Sequence, residues 1–276
     1  MTFSLKTSLI ALFSLLVLSI SSFTPPKPVA PKVQHVEIST KFGKIIVKLY
    51  NETPKHRDNF IKLVREGFYD SLLFHRVIPT FMIQGGDPNS KFATAGSALG
   101  EGELPYTIPA ELNKKLYHKR GALASAHNEN PEKASSSCQF FIVQGRTFTV
   151  EELTDYQNSV NINSKRKMFG TMVQSDSIKA KLNDYTLRGD KDGLHKYMLS
   201  MQESIDQAFA PYEFKFEPNQ IIDYVQLGGA PHLDGNYTVF GEVISGITVV
   251  DSIAAQKRDT IDRPLVDLRI KMKLLK

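Results

Sequence analysis

The stretch from Phe74 to Asp87, FHRVIPTFMIQGGD, contains the side chains of this chain that are best suited to chemistry. Arg76 stands among apolar residues, and an arginine in such surroundings normally has a partner in the protein or in a ligand. Its guanidinium offers a fixed set of donors, and Gln84 can both donate and accept hydrogen bonds. Phe81 and Met82 are suited to line an apolar pocket. Such a pocket, with one arginine and no acid–base pair, suits a reaction in which no covalent bond breaks; the alternative is a structural arginine paired with a carboxylate.

Motifs for other kinds of chemistry are missing from the sequence. No G-x-S-x-G turn marks a serine nucleophile, and the glycine fingerprints of phosphate and dinucleotide loops are absent. The only cysteine, Cys138, directly precedes an apolar run and is predicted to be a small filler residue rather than a nucleophile. His75, His127 and His232 lack the spacing of a metal-binding motif. We therefore expect neither a metal nor a cofactor.

The composition is typical of a soluble globular protein, with 41% hydrophobic and 23% charged residues in a chain of 276. A chain of this length forms one large domain or two smaller ones and buries a substantial core. The net charge of +5 is spread along the sequence without runs of like charge. This pattern predicts a solvated surface and no nucleic-acid partner.

The N-terminal region has the layout of an export signal. Residues 1–22 contain Lys6, an apolar stretch from Leu9 to Ile20 and then small residues, as in a signal peptide. The apolar stretch is short for a bilayer span of about 20 residues, so we expect only transient membrane contact through this segment. The alternative is an uncleaved leader that tethers the protein. Residues 23–33 hold four prolines and are predicted to form an extended linker, and together these features predict a protein of the periplasm or cell envelope.

The remaining residues, 34–276, show the patterns of a β-rich domain. Paired strands are predicted on either side of Phe42–Gly43, followed by a helix with Thr53 as its N-cap and Gly67 at its end. Further strands are predicted in LLFHRVI, TFMIQGG, GALASAH, QFFIVQG, YTVFGEVI and LVDLRIKMKLL, with a short helix in ITVVDSIAAQ. Strands in this number with two helices suit one closed barrel or sandwich.

Residues 146–228 interrupt this pattern with charged, helix-prone sequence, which we interpret as a helical insertion in the β domain. The insertion begins after FFIVQGR and ends before HLDG, so both of its ends are predicted to lie near the cleft that contains Arg76. Two roles remain open. It forms either a lid or an additional substrate-binding arm, or it is a packed surface elaboration without substrate contact.

Five motifs occur in an order that resembles the cyclophilin-type peptidyl-prolyl cis–trans isomerases: FHRVIPTFMIQGGD, YTIPAEL, HKRGALASAH, SSSCQFFIVQG and LDGNYTVFGEV. The resemblance covers about 35–145 and 229–276. It implies a mainly β fold, a closed eight-stranded antiparallel barrel capped by two helices, here with a largely helical insertion. It also implies an enzyme without a cofactor that accelerates rotation about X–Pro bonds in unfolded or loop segments of exported proteins and assists their folding.

The resemblance assigns roles to individual positions. Arg76 resembles the catalytic arginine of the family. Gln84 resembles the glutamine that hydrogen-bonds the substrate backbone and supports the arginine. Substrate binding is implied for the walls of the proline pocket and for neighbouring positions of the cleft, namely Phe81, Met82, Ala126, His127, Gln139, Phe141, His232, Leu233 and Tyr237.

Three positions depart from the pattern that is common in the family. His127 stands where members often have asparagine, and Tyr237 stands where eukaryotic members commonly have histidine. His232 replaces a tryptophan that contributes to binding of the cyclic peptide cyclosporin, so we predict weak inhibition by this compound. None of these substitutions falls on Arg76, and activity is expected to be retained.

Two functions from other classes remain open. A non-catalytic chaperone would bind peptides in the same groove and use the insertion as its main client surface. A tethered scaffold protein would use the insertion to dock a partner. The intact Arg76, Phe81, Met82 and Gln84 favour the enzyme, which we expect to be a monomer.

Overall fold

The computed structural model describes residues 32–275. The predicted signal peptide (1–22) and residues 23–31 of the predicted linker (23–33) lie outside these residues. Between residues 32 and 275, no helix combines the length and the hydrophobicity that are required to cross a membrane.

The fold is built on one antiparallel sheet of eight strands. The described strands are β1 (Gln34–Thr40), β2 (Gly43–Leu49), β3 (Phe74–Ile78), β4 (Met82–Gly85), β5 (Thr107–Ile108), β6 (Ala122–Ser125), β7 (Ser135–Ser136), β8 (Phe140–Val143), β9 (Val239–Ser245) and β10 (Lys271–Leu275). The order in the sheet is β10-β1-β2-β9-β6-β8-β4-β3, and β5 pairs with β7 separately. The predicted hairpin around Phe42–Gly43 is confirmed as β1 and β2.

The sheet is an open, curled half-barrel, and the prediction of a closed barrel is wrong. Strands β3 and β10 stand at the two ends of the sheet and do not form a ladder with each other. The start of β3 meets the chain just before β10, where an isolated bridge joins Leu73 and Arg269 and the Phe74 N–H donates to the Leu268 carbonyl at 2.9 Å. Further along, β3 lies beside the loop that precedes β10, and the Val77 N–H donates to the Asp262 carbonyl of this loop at 2.9 Å. Because each end strand faces a loop or a turn instead of the other strand, the ladder stays open.

Six helices lie within the described residues: α1 (Pro54–Arg65), α2 (Val150–Met172), α3 (Asp176–Leu187), α4 (Lys191–Phe209), α5 (Pro218–Gln226) and α6 (Ile247–Ala254). Helices α1 and α6 pack against the sheet. Their apolar faces contribute Phe60, Leu63, Val250 and Ile253 to its core, where burial of each large apolar side chain stabilises the fold by about 1.5–3 kcal/mol.

The two ends of α1 illustrate local and distant control of a helix. Gly67, with φ +66°, ends the helix as predicted, and the Phe68 N–H donates to the Leu63 carbonyl at 3.0 Å. Thr53 is the N-cap residue at the other end, as predicted, but its hydroxyl makes no capping hydrogen bond. Instead the Glu111 carboxylate accepts the N–H groups of residues 55 and 56 at 3.1 and 3.0 Å. A carboxylate at this position also suits the positive end of the helix dipole.

Helices α2 to α5 lie within residues 146–228. The first begins with a capping box in which Thr149 and Glu152 exchange hydrogen bonds. A small apolar cluster, with Leu153, Phe216 and Tyr224 at its centre, includes the partly buried Tyr117 of the β domain. At the base of the segment the Gly229 N–H donates to the Arg146 carbonyl at 2.9 Å. The cluster and this closed base hold the helices on the half-barrel.

Candidate active site

A cavity of about 340 Å³ lies beside Arg76. Nine of the predicted site residues line it: Arg76, Phe81, Met82, Gln84, Ala126, His127, Phe141, Leu233 and Tyr237. The other two, Gln139 and His232, are not part of its lining. Gln139 is buried behind the cavity wall, and His232 is exposed at the rim.

Three neighbouring strands place the central residues in one row. Gln84 on β4 lies opposite Arg76 on β3 and opposite Phe141 on β8. Directly opposed residues of antiparallel strands point to the same face, and so do residues two apart on one strand, which adds Met82. The backbone register therefore puts a guanidinium at one end of the row, an amide in its middle and apolar side chains at the other end.

The floor of the cavity is apolar. Met82, Phe141 and Leu233 are buried and belong to one cluster, and Phe81 and Tyr237 pack against it. The rings of Phe141 and Tyr237 meet edge to face, with centroids 5.7 Å apart. A floor of this size and polarity suits a small apolar ring and offers nothing to a charged group.

Arg76 is not enclosed by the apolar residues that surround it in sequence, since 45% of its side chain is exposed. Its Nε lies 3.8 Å from Oδ2 of Asp262, a loose ion pair, and the same carboxylate accepts from Nε of Arg258 at 2.9 Å. This carboxylate orients the guanidinium from one side. Arg76 also lines the cavity.

The Gln84 amide is held by a second glutamine. Its Nε2 donates to Oε1 of Gln139 at 3.0 Å, and Nε2 of Gln139 donates to the carbonyls of Gly100 and Gly102 at 2.7 and 2.9 Å. Gln139 therefore acts behind the cavity, where it links Gln84 to the loop at 100–102. This loop contributes Gly100 to the rim.

His75 adds no second charge beside Arg76. It is buried, and within the described residues neither ring nitrogen has a hydrogen-bond partner. Burial lowers the pKa of His75 to about 4. The ring is therefore neutral near pH 7, so the positive charge on β3 is that of Arg76.

Two histidines shape the rim. The ring nitrogens of His127 lie 2.8 and 2.9 Å from the carbonyl oxygens of Asn128 and Asn236, and the ring stacks on Tyr237 with centroids 4.3 Å apart. His232 packs on Phe81 at 5.2 Å between centroids. Partial burial of this ring, followed by the nearby His118, lowers the pKa of His232. Both histidines thus extend the aromatic wall.

The cavity also contains residues that the sequence did not reveal. Ile261 and Arg263 line it, and the neighbouring Asp262 pairs with Arg76. Arg263 is almost fully buried and donates to the carbonyls of Thr94 and Ser97, so it holds the 94–97 loop against the 261–263 loop. No motif marks these residues, because loops carry little periodic signal. The tight turn at Asp262 is visible in the structure as a φ of +64°.

Cys138 is buried, as the prediction of a small filler residue required. Burial raises the pKa of its thiol to about 11, so the reactive thiolate is scarce near pH 7. Within residues 32–275, no group of three or more metal-ligating side chains is found.

A family model described as "Cyclophilin type peptidyl-prolyl cis-trans isomerase/CLD" matches residues 35–203 and 190–273. The chain belongs to this family of enzymes, whose members bind proline-containing peptides.

Relatives and solved structures agree with this membership. The peptidyl-prolyl cis-trans isomerase ppi1 of Schizosaccharomyces pombe is 27% identical over 86% of this chain and 95% of its own length. A Staphylococcus aureus protein with the same activity in its name is 30% identical over 85% of this chain and 88% of its own. A Cryptosporidium parvum cyclophilin structure has a TM-score of 0.51 at 18% identity, covering 89% of this chain and 99% of that one, and shows the shared fold.

Proposed function

We propose that the cavity beside Arg76 accelerates rotation about X–Pro bonds in exported polypeptides and thereby assists their folding. The row of Arg76, Gln84 and Phe141 across three strands carries this proposal, because it sets one cation beside an apolar floor. The family membership and the named activity of the relatives support the same reaction.

The chemical problem is rotation about a bond with partial double-bond character. Twisting the peptide bond costs about 18–20 kcal/mol, and an X–Pro bond isomerises unaided over tens to hundreds of seconds. In the twisted state conjugation is lost, the prolyl nitrogen becomes pyramidal and its lone pair accepts a hydrogen bond. A catalyst that donates to this nitrogen therefore binds the twisted state better than either planar state.

In our proposal Arg76 is that donor. Its guanidinium carries several N–H groups, keeps its charge at all relevant pH values and lies at the edge of the apolar floor. Phe81, Met82, Phe141 and Leu233 hold the proline ring while the acyl side of the bond rotates. Each 1.36 kcal/mol of preferential binding to the twisted state raises the rate tenfold.

The substrate backbone has a docking strip beside this floor. Within the described residues, the N–H and C=O of His127 have no backbone partner, whereas the neighbouring Ala126 uses both of its groups internally. A peptide laid along His127 would pair with these free groups as an added strand does. A Cryptosporidium parvum cyclophilin structure, at a TM-score of 0.50, was obtained in the presence of the dipeptide Ala-Pro, which fits a ligand of this class.

We also propose the surroundings in which this reaction occurs. Residues 1–22 act as a cleaved signal peptide, 23–33 as a linker, and the isomerase domain of 34–276, interrupted by the insertion at 146–228, acts as a monomer in the periplasm or envelope. Fractionation of the producing cells and N-terminal sequencing of the recovered protein test this. A cytoplasmic protein that begins at Met1 would contradict it.

A refolding assay separates the enzyme from a chaperone that only binds peptides in the same groove. The full mature chain is added at substoichiometric amounts to an unfolded protein whose slow phase is limited by proline isomerisation. An enzyme accelerates the slow phase even when each of its molecules must act on many substrate molecules. A chaperone that only binds peptides has an effect only when its concentration is close to that of the unfolded protein. Acceleration that requires equimolar protein would contradict the proposed reaction.

A further inference from the structure

A buried chain of hydrogen bonds connects the helical insertion to the proline cavity. Tyr224 on α5 is fully buried, and its hydroxyl donates to Oδ2 of Asp234 at 2.6 Å. The other oxygen of Asp234 accepts from both the backbone N–H and the Nδ1–H of His118, each at 2.9 Å. Burial and the adjacent carboxylate raise the pKa of Tyr224 far above its usual range, so the hydroxyl keeps its proton and donates.

The far end of this chain touches the cavity wall. The His118 ring stacks on Phe141, with centroids 5.9 Å apart and an interplanar angle of 11°, and meets Tyr237 edge-on at 6.3 Å. Asp234 follows Leu233 directly in sequence. Three residues that line the cavity are therefore in contact with His118 or bonded to Asp234.

Tyr224 is locked on the side of the insertion. Its ring packs against Phe216 and Phe148, with centroid distances of 5.8 and 6.3 Å. A Cβ on Gly229 would lie only 2.5 Å from the tyrosine ring, so the absence of a side chain there lets the ring approach the backbone. The hydroxyl therefore has one well-defined direction.

We infer that Tyr224 is a positioning residue for the proline site, which acts through Asp234 and His118 on the wall formed by Leu233, Phe141 and Tyr237. The inference rests on the proposed function, since it concerns the same cavity. It gives the insertion a role in substrate binding without contact between insertion and substrate.

The energetic reason lies in the surroundings of Asp234. A hydrogen bond to a carboxylate is stronger than one between neutral groups, and loss of one donor leaves a partly buried charge short of a partner. Asp234 also lines a second cavity of about 620 Å³ between the insertion and the β domain. Without the Tyr224 hydroxyl, the carboxylate is free to turn toward water in that cavity and to release His118.

The test compares two tyrosine-to-phenylalanine variants of the full mature chain. Tyr224→Phe removes the hydroxyl that reaches Asp234. Tyr117→Phe is the matched control, because the Tyr117 hydroxyl donates to Oδ2 of Asp223 on α5 at the same distance of 2.6 Å but does not touch Asp234. Both changes loosen the contact between insertion and β domain, and only the first changes the wall.

The affinity of each variant for an Ala-Pro-containing peptide is measured by NMR titration, and turnover by exchange between the cis and trans signals. We expect Tyr224→Phe to weaken peptide binding by up to about tenfold, the equivalent of one net hydrogen bond, while kcat stays near the wild-type value. Shifts of the Leu233 methyl and Tyr237 ring signals should accompany this loss. Tyr117→Phe should leave affinity and these signals unchanged.

Equal affinities of the two variants, or unchanged wall signals in Tyr224→Phe, would overturn the inference. If Tyr224→Phe does not fold, Asp234→Asn is judged by the same two readouts. A wild-type chain that binds peptide without accelerating its rotation would refute the proposed function, and the affinity comparison would still decide the role of Tyr224.

Discussion

Removal of the Arg76 guanidinium is the most direct perturbation of the proposed reaction. A hydrogen bond that involves a charged group contributes about 1.5–3 kcal/mol, and a donor in a water-excluded site contributes more. Since 45% of the Arg76 side chain is exposed, the lower range applies. Arg76→Ala should therefore reduce kcat by roughly 10- to 100-fold. Arg76→Lys keeps the charge but loses the planar, forked guanidinium. Its kcat should therefore lie between that of the wild type and that of Arg76→Ala.

The affinity for peptide should change little in both variants. The apolar floor of Met82, Phe141 and Leu233 belongs to other elements of the site and remains intact. NMR exchange measures the rotation rate of the bound peptide and its affinity separately. We expect both variants to rotate the bound peptide more slowly while they bind it with nearly the wild-type affinity.

Two results would refute this reasoning. One is a wild-type rotation rate in Arg76→Ala, which would show that the apolar groove alone catalyses. The other is a loss of affinity equal to the loss of kcat/KM, which would make Arg76 a residue for ground-state binding.

Three further predictions concern the surroundings of Arg76. Asp262→Asn removes the charge beside Arg76 while asparagine tolerates the local φ of +64°, so kcat should fall by at most about fivefold. Burial lowers the pKa of His75 to about 4 in the folded protein, whereas the ordinary value of 6.5 applies to the unfolded chain. As the pH falls, His75 therefore binds a proton in the unfolded chain before it does so in the folded one. The free energy of unfolding should thus decrease between pH 6.5 and 4, by at most about 3 kcal/mol, and less in His75→Leu. His232→Trp should strengthen inhibition by cyclosporin, because a larger ring then stacks on Phe81.

Each of these predictions has a result that contradicts it. A loss in Asp262→Asn as large as that in Arg76→Ala would mean that the carboxylate does more than orient the arginine. If urea unfolding had the same pH dependence in His75→Leu and wild type, His75 would not be the source of the pH effect. The control is His195→Gln, which changes an exposed histidine on α4. Unchanged inhibition in His232→Trp would place the cyclosporin determinant elsewhere.

Much of the site was predictable because its residues are close in sequence or lie in strands. The pattern around Phe81, Met82 and Gln84 placed an apolar pocket beside an arginine, and the structure brings these residues together with Arg76. The loop residues Asp262 and Arg263 were missed, although both stand at the same cavity. They come about 180 residues later in the chain, and only long-range packing brings them to Arg76.

Two further features also depend on long-range packing. Thr53 is the N-cap residue of α1, as predicted, yet the side chain that accepts the first N–H groups of the helix is that of Glu111, which only the fold brings there. The prediction of a closed barrel was wrong because the pattern of strands in the sequence does not specify whether the two end strands of the sheet pair with each other. In the structure the chain at these ends is joined by the isolated bridge between Leu73 and Arg269.

The sequence by itself determined which residues could share a face and what chemistry they offer. Strand alternation has a period of two, so Met82 and Gln84 point to one side whatever surrounds them. The tertiary structure decided which distant groups complete the site, namely Asp262 beside Arg76 and His118 behind Phe141. These contacts join residues far apart in the chain, and such contacts follow from the packing of whole elements, which local propensity does not specify.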